Sequence, residues 1–313
     1  MNSANEYCGR DLGVLVTGRV GHRGSDAALF LELLRGIREA LPVAEVVFST
    51  SSEPGPEVRR NLVEFSCSLV VKEFAGDPTL TYGMNSLMRQ TQQVQEGMAL
   101  LSTHVKYVVR IRSDWQITNL AKFRMFASSS TTSSSLTLLD VNWPRFPILP
   151  TPWQGNDYLT AGEIHSVARF WATFEDSVIR SNKKVTSPLS RQFHYYPDCN
   201  SKSVEQMLFA RYFMGPSFNP ENGNLWRELR SWVESDRLLE VVPFEEAGVT
   251  PPTGALSRSQ IAKKFFGRGR GAKKGFVLAI QLITGYLIAA LFFWMHPMWI
   301  WPRLKEAARS RIR

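Results

Sequence analysis

Lys106-Tyr-Val-Val-Arg-Ile-Arg-Ser-Asp114-Trp-Gln-Ile117 decides how this chain folds. Residues 106–111 have the length and β-branched content of a buried strand. The strand runs through a short polar step and delivers one carboxylate, Asp114, at its carboxyl end. In open α/β sheets ligands collect outside the carboxyl ends of the strands. An Asp at that address has two readings. It opens a turn or caps the next element, or it holds a divalent cation against a diphosphate. The local residues leave both open.

Upstream, Leu12–Val20 reads as a first buried strand broken by Gly18. Asp26–Leu41 places Leu29, Leu33, Leu34, Ile37 and Leu41 at helical spacing, and Pro42 stops the helix. Glu45–Thr50 is a second strand and Leu69–Phe74 a third. Asn85–Ser102 is a helix that leads into the 106–111 strand. This alternation predicts an α/β fold, a mostly parallel doubly wound sheet with flanking helices. Downstream, Ser128–Ser135 is a low-complexity loop and Leu136–Val141 another strand. The four prolines of 143–152 make a loop, and helices follow at 164–180, 203–213 and 225–233. The expected organisation is a catalytic body over 1–242, a Pro/Gly-rich then basic linker over 243–274, a hydrophobic segment over 275–301 and a basic tail over 302–313.

The net charge of +9 points to nucleic acid until it is located. From Arg258 onward there are twelve Lys/Arg and one acid, Glu306, a local +11 that leaves about −2 for residues 1–257. The basic residues frame a 27-residue stretch without formal charge, Gly275–Trp301. As a helix, its first 21 residues span roughly 31 Å, the thickness of a bilayer's hydrocarbon core. Trp294, Trp299 and Trp301 gather near one end, as an interfacial belt requires. The expectation is attachment to an anionic membrane surface and no nucleic-acid partner. Whether the segment crosses or re-enters stays open. The first eight residues lack the basic and apolar regions of a signal peptide, so the body is expected to face the cytoplasm.

Three widely spaced cysteines form no disulfide framework, and Cys67 reads as a buried small hydrophobe. His165 and His194 have no partner at metal-ligand spacing. There is no P-loop and no Gly-x-Gly-x-x-Gly. Several polar groups do fall where a phosphate-bearing ligand needs them. Gly18 lets the backbone approach a ligand and Arg19 offers a guanidinium. Arg89-Gln90 sits early in a helix, and Arg112 stands two residues before Asp114. Farther on, Asp157 and Glu163 flank an expected turn, and Glu205 opens a helix.

The order of these elements resembles the WavE-type lipopolysaccharide-synthesis family, bacterial glycosyltransferases with a GT-A-like domain. The matching parts are Val14-Leu-Val-Thr-Gly18, Leu41-Pro42 before Glu45–Thr50, Asn85-x-x-x-Arg89-Gln90-x₆-Gly97, Arg112-Ser-Asp114, the 156–163 segment and Glu205-Gln206. They cover about residues 12–215. Ser113, Tyr158-Leu159 and Gly18-Arg19-Val20 depart from the family's usual Thr, aromatic and Gly-Pro-Ile. The resemblance implies a nucleotide-sugar donor bound by Gly18, Arg19, Arg89, Gln90 and Arg112. It implies Mg²⁺ or Mn²⁺ on Asp114, and Asp157, Glu163 and Glu205 as catalytic or acceptor-side acids. The acceptor would be a lipid-linked or polysaccharide glycan, lipopolysaccharide or capsule, at the bacterial inner membrane. The rival readings are a sugar nucleotidyltransferase, for which Gly18-Arg-Val-Gly21-His-Arg-Gly24 is a faint Gly-rich loop, an inactive scaffold in polysaccharide assembly, and a nucleic-acid binder.

Overall fold

Leu12–Thr17 (β1) is buried along its whole length, which suits a central strand covered on both faces. Its odd and even residues serve different cores: Leu12, Val14 and Val16 pack with Phe30, Leu33, Leu34 and Ile37 of helix α1 (Ala27–Ala40), while Leu15 packs with the opposite layer. The structure, a computed structural model, describes residues 11–20, 26–80, 82–130, 136–140, 159–175, 179, 207–208, 211–212, 215, 239–244 and 246–250.

The remaining elements are β2 (Glu45–Thr50), α2 (Pro56–Glu64), β3 (Cys67–Val71), α3 (Tyr82–Ala99), β4 (Tyr107–Arg112), β5 (Gln116–Ile117), α4 (Leu120–Ser130), β6 (Leu136–Asp140), β7 (Leu159–Glu163), α5 (Ile164–Phe170), β8 (Leu239–Pro243) and β9 (Val249–Thr250). Seven strands form one sheet in the order β3-β2-β1-β4-β7-β6-β8. β7 runs against both its neighbours and every other pairing is parallel. Helices α1, α2 and α4 pack on one face, and α3 and α5 on the other. The doubly wound, mostly parallel sheet expected from the alternation is thus present.

Local chemistry explains the elements. Asp26 caps α1, its carboxylate accepting from Ala28 N at 2.7 Å. Pro56 starts α2 at a position that needs no N–H donor. Gly97 lets α3 lie hard against the sheet; a Cβ there would stand 2.3 Å from Leu15 Cδ1 and 3.0 Å from Ser49 Cβ. Cys67 is a buried small hydrophobe, and burial pushes its thiol up to about 12 against the pull of Arg38.

Several expectations need correction. Helices α2 and α4 fall in stretches to which the sequence reading assigns no element, and α4 takes in Ser128–Ser130 of the expected low-complexity loop. β3 begins two residues before Leu69, and α5 ends at Phe170, well short of Arg180. Residues 159–163 are a strand, not a turn. The linker does not begin at 243. Pro243 closes β8, Ala247 and Val249 are buried, and β9 pairs with β5. Among the described residues no helix is long and apolar enough to cross a membrane. The expected segment 275–301 and the basic tail lie outside them, as do Asp157, Glu205 and the 225–233 helix.

Candidate active site

β1 leads by way of α1 to β2 and β3 on one side, whereas β4 docks on its other side. α1 and α3 therefore cover opposite faces, and a crevice opens outside the carboxyl ends of β1 and β4. That is the switch point where open α/β sheets bind ligands. Buried polar residues gather around it: Thr17 ends β1, Ser49 and Thr50 end β2, Ser113 follows β4, and Arg110 lies beneath, bonded to Thr17. Apolar side chains fill the rest of both cores.

Gly18 and Ser113 seal the floor of the crevice. Ser113 N donates to Thr17 O at 2.8 Å and its hydroxyl to Arg19 O at 3.2 Å. Gly18 sits at φ 143°, where a side chain is strained, and a Cβ would come within 2.2 Å of Ser113 Oγ. The β1–α1 step thus lies directly on the β4 turn. Ser113 is buried under Gly18, and Trp115, 1% exposed, sinks into the α1-side core. Asp114 is held between these two anchors and lifted to the rim.

There it meets Arg112 in a two-point fork. Nε donates to Oδ1 at 3.0 Å and Nη2 to Oδ2 at 2.5 Å, with the two side chains 33% and 24% exposed. Such a bidentate pair fixes both planes. Arg19, at the other lip, donates from Nε to Ser51 Oγ at 3.1 Å. The structure thus brings Gly18, Arg19, Arg112 and Asp114 together, and three of these are ionic.

Arg110 was not among the expected site residues. It is 1% exposed and lies on the α3 face of β4, since Val109 and Ile111 pack toward α1. Its Nε donates to Thr17 Oγ1 at 2.8 Å, its Nη2 to Gln90 Oε1 at 3.2 Å, and its guanidinium carbon stands 4.3 Å from the centroid of Trp171. Trp171 in turn donates to Thr160 Oγ1 on β7 at 3.1 Å. The sequence did carry a signal: one charge at the centre of an otherwise apolar strand needs internal partners.

This corrects the expectation for Gln90. Its oxygen accepts from Arg110 and its nitrogen donates to Ser86 Oγ at 3.2 Å, so it supports the site from within. Arg89 Nη2 approaches the same hydroxyl at 3.5 Å. Asn85, the first residue of that pattern, pins the β3–α3 loop. It accepts from Asp77 N at 2.7 Å and donates to Asp77 O at 2.9 Å.

Glu163 is also corrected. It pairs with Tyr107, the first residue of β4, while Leu159 pairs with Ile111 near the last. Glu163 is therefore at the amino edge of the sheet, roughly 20 Å of strand away from Asp114. It cannot share a reaction centre with Asp114. Asp157 precedes Leu159, the end of β7 beside the crevice, but it and Glu205 lie outside the described residues.

No protein-family model and no curated protein matches the chain. Solved structures do share its outline. A 4-diphosphocytidyl-2C-methyl-D-erythritol synthase from Anaerococcus prevotii is 9% identical, with a TM-score of 0.42 over 85% of this chain and 100% of that one. A mannosyltransferase from Pyrobaculum calidifontis, solved with GDP-mannose and Mn²⁺, is 14% identical, with a TM-score of 0.38 over 90% and 86%. A glycosyltransferase involved in glycosylating the major capsid of PBCV-1 is 9% identical, with a TM-score of 0.37 over 82% and 100%. At TM-scores below 0.5, the fold and site of this chain stand on its own strand order and side chains.

Proposed function

We propose that this chain is a nucleotide-sugar-dependent glycosyltransferase of GT-A-like fold. The observation that carries the reading is the crevice between β1 and β4, where Gly18-Arg19 meets the Arg112–Asp114 fork above a buried arginine. A backbone step without a side chain, ringed by guanidinium groups at a switch point, suits a nucleoside diphosphate. Transfer of the sugar leaves new negative charge on that diphosphate, and fixed positive groups lower the barrier by meeting it. Arg19 and Arg112 are the candidate contacts from the two lips, and Arg89 a third from α3.

Among the described residues no group of three or more His, Cys, Asp and Glu side chains gathers to hold a metal ion. The donor set still fits one mode of divalent binding, in which one carboxylate shares the ion with substrate phosphates and water. Asp114 would be that carboxylate for Mg²⁺ or Mn²⁺, once Arg112 exchanges it for phosphate. When bound, the ion would supply Lewis-acid neutralisation of the leaving diphosphate. Asp157 is the proposed base for the acceptor hydroxyl if the reaction inverts, and Glu205 a further acceptor-side acid.

The wider setting is part of the same proposal. Gly275–Trp301 and its basic flanks would hold the enzyme at the bacterial inner membrane, body toward the cytoplasm, in the plane of a lipid-linked lipopolysaccharide or capsule acceptor. Replacing Asp114 by Asn in a producing cell tests transfer against a scaffold. The reading expects surface glycan to be lost while the protein persists at wild-type abundance. Unchanged glycan would leave an assembly scaffold in its place.

A further inference from the structure

An ion pair that braces a fold usually joins parts that the chain does not already join. The Arg112–Asp114 fork joins residues two apart in one turn. Buried Ser113 and Trp115 already anchor that turn, with Ser113 N bonded to Thr17 O and Ser113 Oγ to Arg19 O. Both partners of the fork are part-exposed, and a pair in that setting adds little to stability. Its larger effect is to occupy two groups at the rim. One guanidinium takes both oxygens of Asp114, at 3.0 and 2.5 Å.

We propose that the fork is a latch, which makes the crevice take a divalent cation and a nucleoside diphosphate together and either one alone poorly. This rests on the donor-site reading above and deepens it, from which groups bind to how their binding is coupled. A cation alone must displace the guanidinium from Asp114 and then sit beside its positive charge. A diphosphate alone must draw Arg112 off its carboxylate and then lie beside that negative charge. With both present the contacts are exchanged rather than lost: carboxylate to cation, cation to diphosphate, diphosphate to guanidinium. Each charge then has an opposite neighbour.

The scaffold allows that exchange without refolding. Ser113 and Trp115 hold the backbone on either side of Asp114, so only the two side chains need to turn. Arg112 closes β4 opposite Thr17, the residue before the Gly18-Arg19 step, so its guanidinium is released beside the crevice. Linkage makes the coupling reciprocal: the factor by which the cation tightens the diphosphate is the factor by which the diphosphate tightens the cation.

The test uses the full-length chain and its Arg112→Met, Arg112→Lys and Asp114→Ala variants. Loss of the free Mn²⁺ signal in electron paramagnetic resonance measures cation binding without nucleotide. Calorimetry measures UDP, GDP and CDP with and without Mn²⁺. In the wild type, Mn²⁺ is expected to tighten the preferred diphosphate by roughly tenfold or more. Arg112→Met should bind Mn²⁺ alone roughly fivefold tighter than wild type, and the diphosphate more weakly. Arg112→Lys should show a smaller gain for Mn²⁺, because lysine keeps the charge and loses the two-point fork. Asp114→Ala should bind the diphosphate without Mn²⁺ roughly threefold tighter or more, and gain nothing from the metal. A pair that only braces the turn produces neither gain. Mn²⁺ affinity unchanged or weakened in Arg112→Met would therefore overturn the latch. So would a gain in Arg112→Met with none in Arg112→Lys, which marks a through-space charge and not the fork. If Arg112→Met does not fold, the gains in Arg112→Lys and Asp114→Ala decide by the same criterion. Wild type that binds a diphosphate equally with and without Mn²⁺ would overturn the latch and leave the donor site standing. Wild type that binds none of the three diphosphates in either condition would overturn the donor-site reading itself.

Discussion

The two edges of the sheet both use arginine, and they use it differently. At the amino edge Arg38 donates to three backbone carbonyls, Phe65 O and Ala44 O at 2.6 Å and Ser66 O at 2.7 Å. Those bonds tie α1 to the turns that start β2 and β3. At the carboxyl edge Arg110 and Arg112 are held by side chains: a threonine, a glutamine, a tryptophan face and a carboxylate. A guanidinium fixed by carbonyls closes a structure. One fixed by side chains at an open rim, as Arg112 is by Asp114, holds its fork where a ligand would enter. On the proposed function, the carboxyl edge works and the amino edge holds.

The largest effect should come from breaking the working edge at its carboxylate. Asp114→Asn removes the charge that aligns Arg112 and would bind a cation. Transfer is expected to fall by about a hundredfold or more, with a thermal midpoint close to wild type, as checked by product formation and calorimetry. Gly18→Ala comes next. The strained φ and the collision with Ser113 should cost about 1–3 kcal/mol, and the displaced floor should weaken nucleotide binding as well. Denaturant unfolding and ligand titration would read the two losses separately.

The holding edge should separate those readouts. Arg38→Ala leaves two part-buried carbonyls and one exposed carbonyl short of a donor and should destabilise by about 2–3 kcal/mol. Its nucleotide affinity, measured well below the melting point, should stay within about twofold of wild type. Glu163→Gln is the smallest change, within about 0.5 kcal/mol in stability and without effect on turnover. Strong loss of activity from Glu163→Gln would place chemistry at the wrong edge and break the comparison.

The first half of the sheet was legible because its strands are apolar runs separated by amphipathic helices. Turn chemistry hid the rest. The α2 helix is short and polar on its outer face, although Pro56 at its start was a readable signal. The reversed direction of β7 is invisible locally. Leu159–Glu163 reads alike in either direction, and only pairing with β4 puts Glu163 at the amino edge. The positions of Asp114 and Gly18 just past strand ends were readable from the apolar runs before them. Gln90 was found by its motif and misread, because its partner, Arg110, is distant in sequence and belongs to a strand that looked purely structural. The boundary at 243 failed for a similar reason: Pro and Gly marked a loop, yet β9 returns from it to pair with β5.

The central claim is that the crevice between β1 and β4 holds the diphosphate of a nucleotide-sugar. Its most direct test is thermal stabilisation of the full-length protein by a panel of uridine, guanosine and cytidine diphosphate sugars, with and without Mn²⁺, in wild type and in Asp114→Asn. The account predicts that one base class raises the melting temperature of the wild type, more so with Mn²⁺, and that Asp114→Asn loses the Mn²⁺ increment. A wild-type protein whose melting temperature no nucleotide-sugar moves, with or without the metal, would contradict it.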